Sequence, residues 1–106
     1  MAKYLLLYHG GGMPETEAES AAVIKAWTDW YTSLGSAVVD PGNPFTPTAK
    51  SVTKDGSVRN GPAGSMASGY TILQADSIDA AAQMAKSCPV LNGGADISIF
   101  ESFDVM

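Results

Sequence analysis

The chain has 106 residues, 45% of them hydrophobic and 16% charged, which suits a single domain spanning residues 1–106. Its net charge is −5 and its six basic residues are scattered, so nucleic acid and anionic membranes are not expected partners. One cysteine excludes an intramolecular disulfide. The apolar run at 4–8 is too short for a membrane span or a signal-peptide core, so the cytoplasm is the expected location.

Residues 3–9 predict a strand, in which alternate side chains fall on opposite faces of a sheet. Both sets are largely apolar: Tyr4, Leu6 and Tyr8 lie on one face, and Leu5, Leu7 and His9 on the other. A strand with two apolar faces is typical of a sheet that is covered on both sides.

The next predicted element is a long amphipathic helix. Thr16 with Glu19 three residues later forms a candidate capping box at its start. Gly35 follows its last apolar residue, where a left-handed glycine commonly ends a helix. One stripe at helical spacing predicts its buried face: Val23, Trp27, Trp30, Tyr31 and Leu34.

Five further elements follow along the chain. A short strand is predicted at 36–39, and the Asp55-Gly56 turn indicates a hairpin over 48–59. A second two-faced strand is predicted at 69–75, and a strand at 96–103 closes the chain. Between these two strands, Asp76 or Ser77 caps a helix that Pro89 stops. Its predicted buried stripe is Ile78, Ala81, Ala82, Ala85 and Cys88.

This order of elements predicts an α+β domain with the split βαβ arrangement of ferredoxin-like folds and an inserted hairpin between strands 2 and 3. Two helices can cover only one face of its antiparallel sheet. A large exposed apolar face is unusual on a monomer. The low charged fraction also indicates a surface covered by another subunit. We therefore expect a symmetric homodimer.

Four stretches together resemble the YCII-related family, which is named for an Asp-Gly-Pro-Phe motif. They are KYLLLYHGG at 3–11, KAWTDWYTSLGSAVV at 25–39, SVTKDGSVRNGPAG at 51–64 and SGYTILQADSIDAAAQMA at 68–85. The resemblance covers nearly the whole chain. It implies a ferredoxin-like subunit in a dimeric α/β barrel. Most of the family has no assigned activity, and a few relatives are small-molecule enzymes, including a dehydrochlorinase, that use a histidine–aspartate pair.

The chain departs from that family at its signature. Asn60-Gly61-Pro62-Ala63 stands where the motif has aspartate and phenylalanine at its first and last positions. The only histidine, His9, ends the first strand, whereas the enzymatic relatives carry theirs on the first helix. No residue matches the catalytic histidine of those relatives, so the pair is not transferred.

His9 is the candidate catalytic residue, because histidine is the side chain that titrates near neutral pH when unperturbed. The alternative is a strand-end histidine bonded to backbone or water. Tyr8, Arg59 and Tyr70 are candidate pocket residues: the tyrosines would orient a ligand, and the arginine would clamp a carboxylate. Their alternatives are core packing for the aromatic residues and a solvated loop position for the arginine.

The spacing of the single histidine and the single cysteine gives no metal site, and no cofactor-binding motif is present. Two functions remain open. The first is a dimeric module that binds a small molecule or a partner protein without catalysis. The second is a cofactor-free enzyme, of a lyase, isomerase or dehydrochlorinase-like type. It would act on a small aromatic or polar organic molecule with His9 as acid or base.

Overall fold

The computed structural model describes residues 1–12 and 15–105, and shows a mixed α+β chain. The strands are β1 (Ala2–His9), β2 (Val38–Asp40), β3 (Lys50–Val52), β4 (Val58–Asn60), β5 (Ala67–Ala75) and β6 (Asp96–Ser102). The helices are α1 (Glu17–Leu34) and α2 (Ile78–Ala85), and two 3₁₀ turns span Gly35–Ala37 and Pro89–Gly93.

Four strands form an antiparallel sheet in the order β2-β5-β1-β6. β1 is central and pairs antiparallel with β5 on one side and β6 on the other. β2 pairs antiparallel with β5, with a shift in register between Val38 and Asp40. β5 therefore lies between β1 and β2, the two strands that α1 connects in sequence. The ends of β1 and β2 and the starts of β5 and β6 all lie at one end of the sheet.

One face of this sheet is covered by both helices and forms the core. On β1, Tyr4, Leu6 and Tyr8 are at most 4% exposed, and on β5 Leu73 is fully buried. They pack with Trp30 of α1, whose indole Nε1 donates to the backbone oxygen of Met84 at 3.1 Å, and with the small residues of α2. The alternation along β1 confirms the two-faced strand predicted from the sequence.

The ends of α1 are confirmed, but its predicted buried stripe is too long. The Thr16 hydroxyl accepts from the Glu19 amide at 3.1 Å, and Glu19 reaches back to accept from the Glu15 amide. Gly35 ends the helix at the predicted position, but its φ of +56° and ψ of −125° lie outside the left-handed helical region that the sequence pattern predicts. Val23 is 41% exposed, because the first turns of α1 extend past the surface formed by the sheet and α2. Packing against the core begins at Trp27.

The second helix is shorter than its predicted stripe. Ser77, rather than Asp76, caps it by accepting from the Ala80 amide at 3.1 Å. The helix ends at Ala85, so Cys88 lies beyond it and is buried as the residue before the 3₁₀ turn. Ile78 is 45% exposed at the start of the helix, because the first turn overhangs the core.

β3 and β4 form a separate antiparallel hairpin, as the Asp-Gly turn predicted. They pack mainly on each other, without substantial contact with the four-stranded sheet. We call residues 50–60 the hairpin arm. It leaves the body between β2 and β5, at the end of the sheet where β1 ends. None of the helices in the described ranges, 1–12 and 15–105, is long and apolar enough to cross a membrane.

Candidate functional site

The face of the sheet that the helices leave uncovered, which we call the open face, carries the candidate site. The strand registers place Leu5 opposite Ile72 and Phe100, and Leu7 opposite Tyr70 and Ser98. His9 extends this face at the end of β1, opposite Asp96. The open face is therefore apolar in its middle, around Leu5, and polar at both ends, with Lys3 opposite Gln74 and Ser102 at the start of β1. We call the end that carries His9 the polar end.

The polar end contains a close contact between His9 and Ser98. Nε2 of His9 and Oγ of Ser98 are 3.0 Å apart, and the pair is partly buried. The serine reaches the histidine because Ser98 is the cross-strand neighbour of Leu7, which places it diagonally next to His9. A neutral imidazole nitrogen and a hydroxyl exchange donor and acceptor roles with the tautomer, so the pair can present either polarity to a ligand.

The other ring nitrogen of His9, Nδ1, is buried and has no hydrogen-bond partner among residues 1–12 and 15–105. It is the only buried side-chain nitrogen or oxygen in those ranges of which this is true. Asp96 lies opposite His9 on β6, yet its carboxylate makes no hydrogen bond or salt bridge to the ring among the described residues. The histidine therefore has a hydroxyl partner but lacks the third group that would orient it as a catalytic base.

Tyr70 lies on the same face, two strands from Ser98. Its hydroxyl donates to Oδ2 of Asp40 at 3.2 Å, and its ring stacks on Phe45 with centroids 5.9 Å apart. Asp40 also accepts from the Gly42 amide at 2.8 Å. A Cβ at Gly42 would lie 1.8 Å from the Tyr70 backbone oxygen, so only glycine lets this turn approach β5. The neighbouring carboxylate raises the pKa of the Tyr70 hydroxyl.

Tyr8 lies on the opposite side of β1 from His9, so the two do not line one pocket. The tyrosine is 4% exposed. Its hydroxyl donates to Thr71 Oγ1 at 2.6 Å, and Thr71 donates in turn to the Pro41 backbone oxygen at 3.0 Å. Burial raises the pKa of the Tyr8 hydroxyl. Sequence neighbours on a strand point to opposite faces, and this alternation is why Tyr8 belongs to the core and does not line the open face.

Arg59 lies on β4 in the hairpin arm, and its side chain is exposed. Within the described residues it takes part in no salt bridge, and no side-chain hydrogen bond joins it to His9 or Tyr70. The structure thus places His9 and Tyr70 of the four predicted site residues on the same face, where they hydrogen-bond to different partners, Ser98 and Asp40. Tyr8 and Arg59 lie elsewhere in the protomer.

Ser98 is the residue that the sequence analysis missed. The signal was present in Asp96-Ile97-Ser98-Ile99-Phe100, because alternation puts the serine on the face opposite both isoleucines. Its closeness to His9 depends on the pairing of β1 with β6, which joins residues 89 positions apart.

The site offers hydrogen-bonding groups next to an apolar surface. Among the described residues, no group of three or more histidine, cysteine, aspartate or glutamate side chains is placed to hold a metal ion. Neither a family model nor a curated protein matches the chain.

Proposed function

We propose that the chain is a homodimeric α+β domain that binds a small organic molecule at the polar end of its open face, without catalysis. The open face itself is the observation that carries the proposal. The strand order supports a ferredoxin-like subunit, and the resemblance to the YCII-related family supports pairing of two such subunits as a dimeric α/β barrel. We place this dimer in the cytoplasm, because the single thiol is buried and needs no oxidising compartment.

The surface area of the protomer supports a partner subunit. A compact monomer of 11.0 kDa has an accessible surface of roughly 5,600 Å², whereas this chain has 7315 Å². The excess is about 1,700 Å², more than the ~800 Å² that one partner contributes to a standard interface. The radius of gyration, 15.2 Å, also exceeds the roughly 13 Å expected for a compact domain of this length.

The apolar middle of the open face supplies a surface for self-association. Phe100 is 53% exposed and Val39 is 42% exposed, and Leu5 and Ile72 between them are only half-buried. Burying apolar surface contributes about 25 cal/mol per Å². A second copy places the same apolar residues opposite these, which is the simplest symmetric solution.

A Phe100→Glu variant tests the dimer. The side chain is exposed enough in the protomer for the variant to fold, while a charge inside an apolar interface is strongly unfavourable. We expect native mass spectrometry and light scattering to give a dimer for the native chain and a folded monomer for Phe100→Glu. Phe103→Glu is the matched control, because Phe103 is 82% exposed just beyond β6; it should leave the dimer intact. A native protein that is monomeric at tens of micromolar, roughly the range of weak specific dimers, contradicts the proposal.

The ligand part of the proposal is supported by the partly buried pair of His9 and Ser98, whose Nε2 and Oγ atoms lie 3.0 Å apart on the open face. A bound molecule with donor and acceptor groups beside an aromatic ring would match these atoms and the Leu7–Tyr70 surface. Native mass spectrometry of the purified dimer would detect a retained compound. Nuclear magnetic resonance titration with phenol, benzoate and benzylamine tests the site directly. We expect the probe that binds to change the chemical shifts of His9 and Ser98 in the native protein. The change at His9 should be lost in Ser98→Ala and kept in Ser102→Ala. The absence of any chemical-shift change with all three probes, together with no retained mass, would contradict binding.

The alternative is a cofactor-free enzyme with His9 as acid or base. The 3.0 Å contact between His9 and Ser98 is the observation in its favour, because it lies within the range of a base and the group it deprotonates. Such an enzyme would exchange an acidic C–H proton of its ligand with solvent. We expect no exchange in D₂O for the native protein; exchange that His9→Ala abolishes would replace the binding module with the enzyme.

A further inference from the structure

The hairpin arm has an exposed apolar pair that no other residue in the described ranges, 1–12 and 15–105, covers. Val52 and Val58 are directly opposite each other on β3 and β4, and they are 68% and 63% exposed. A two-stranded hairpin on its own is marginally stable in water. The arm therefore has an apolar surface suited to packing against another element.

The arm also differs from the rest of the chain in charge. Lys50, Lys54 and Arg59 are three of the six basic residues, and Asp55 is one of the eleven acidic residues. The arm thus carries +2, and the remainder of a chain with net charge −5 carries −7. Half of the basic residues, which look scattered along the sequence, therefore lie within these eleven residues. A strongly negative remainder disfavours a nucleic-acid phosphate backbone as the partner.

The first half of α1 has the complementary character. Ile24 is 66% exposed, and Ala21, one turn before it, is exposed as well. Glu15 and Glu17 lie beside them. A shallow groove combines these side chains: Glu15, Thr16, Glu17, Ser20, Ala21 and Ile24. Carboxylates beside exposed aliphatic side chains match both the charge and the valine pair of the arm.

We infer that the hairpin arm of each protomer docks on the first half of α1 in the partner protomer. This inference rests on the proposed homodimer. Lys50, on the same face of the hairpin as Val52 and Val58, and Lys54 in the turn face the carboxylates of Glu15 and Glu17, while the two valines pack on Ala21 and Ile24. A two-fold axis repeats the contact once in each direction, so the assembly closes at two subunits. Arg59 lies opposite Ser51 on the other face of the arm and takes no part in this contact.

A charge exchange between two variants tests the contact. The arm variant is Lys50→Glu/Lys54→Glu, and the helix variant is Glu15→Lys/Glu17→Lys. Glu19 stays unchanged because it belongs to the helix cap. Each variant alone sets like charges against each other at both contacts. In the mixed dimer, both contacts again join opposite charges. Labelling one variant with ¹⁵N lets native mass spectrometry separate the mixed dimer from the two homodimers.

We expect each variant alone to dimerise at least about tenfold more weakly than the native chain, and the mixture to form mainly the mixed dimer. Lys86→Glu and Asp104→Lys are control charge changes outside both surfaces and should leave the dimer unchanged. Both variants dimerising like the native chain, with statistical mixing, would overturn the docking contact while leaving the homodimer in place. A monomeric native chain would instead overturn the homodimer and the docking contact with it. Weakened variants that form no mixed dimer would also overturn the contact, because the loss would then not come from paired charges.

Discussion

The two faces of β1 differ in what covers them, although both are built from similar residues. Tyr4, Leu6 and Tyr8 are buried under α1 and α2, whereas Leu5 and Leu7 on the other face are only half-buried. The difference does not come from hydrophobicity, because leucines occupy both faces. It comes from helix number: two helices connected to this sheet can cover one face and no more. A sequence that encodes two apolar faces with two helices therefore leaves one face available for a partner.

The largest expected effect is a contrast between neighbouring leucines. Leu6 is fully buried, so Leu6→Ala should lower the free energy of unfolding by about 3 kcal/mol through lost transfer energy and a cavity. Leu5→Ala should cost about 1 kcal/mol in the isolated protomer, because part of that side chain already contacts water. Urea unfolding at several protein concentrations measures both. Equal losses for the two variants would remove the contrast between the faces.

A smaller effect is expected from the hydroxyl buried on the helix-covered face. Thr71 is fully buried and accepts from Tyr8 while donating to the Pro41 backbone oxygen. Thr71→Val keeps the shape but leaves the Tyr8 hydroxyl without its acceptor, while the Pro41 oxygen keeps its hydrogen bond from the Tyr31 hydroxyl at 3.0 Å. The variant should cost about 2 kcal/mol in thermal or urea unfolding. Thr71→Ser is the control that keeps the hydroxyl and loses one methyl group, at about 1 kcal/mol. A valine variant as stable as the native chain would show that this chain of hydrogen bonds contributes nothing.

On the open face, the corresponding polar pair should matter little for stability. Ser98→Ala removes the contact with His9 Nε2, and we expect the free energy of unfolding to change by less than about 0.5 kcal/mol, because partly exposed groups regain hydrogen bonds to water. The tautomer of the His9 ring, read from its ¹⁵N signals, should change at the same time. Ser102→Ala, on the same strand, is the control for both measurements. A loss comparable to that of Thr71→Val would place the pair among the structural hydrogen bonds.

The smallest effect is expected in the hairpin arm at acid pH. Hydrogen bonds from the Thr53 hydroxyl and the Ser57 amide hold the pKa of the Asp55 carboxyl at about 2, below its usual 3.8. Because the folded pKa is the lower one, the turn is stabilised by the ionised carboxylate above pH 3.8 and loses that stabilisation as the pH falls toward 2. Amide chemical shifts of residues 53–57 should follow this titration. Asp55→Asn should abolish the pH dependence; an unchanged titration would assign it to another group.

Local patterns predicted much of this fold. The alternation along β1 and β5, the Thr16 cap, the Gly35 helix end and the Asp55-Gly56 turn each depend on residues close together in sequence. The errors occur at residues whose burial depends on an element that is distant in sequence. Val23 continues the helical stripe, yet it is exposed because, among the described residues, the part of α1 that packs on the core begins at Trp27. Tyr8 is adjacent to His9 in sequence and on the other side of the sheet in space.

The sequence by itself therefore determined the elements of this protein and the two apolar faces of its central strands. These follow from side-chain periodicity and capping chemistry, which act over a few residues. Only the tertiary structure decided which face the helices cover, that Ser98 meets His9, and that the arm and the first half of α1 stay exposed among the described residues. These features depend on strand order and register, which bring residues nearly a whole chain apart to within 3.0 Å.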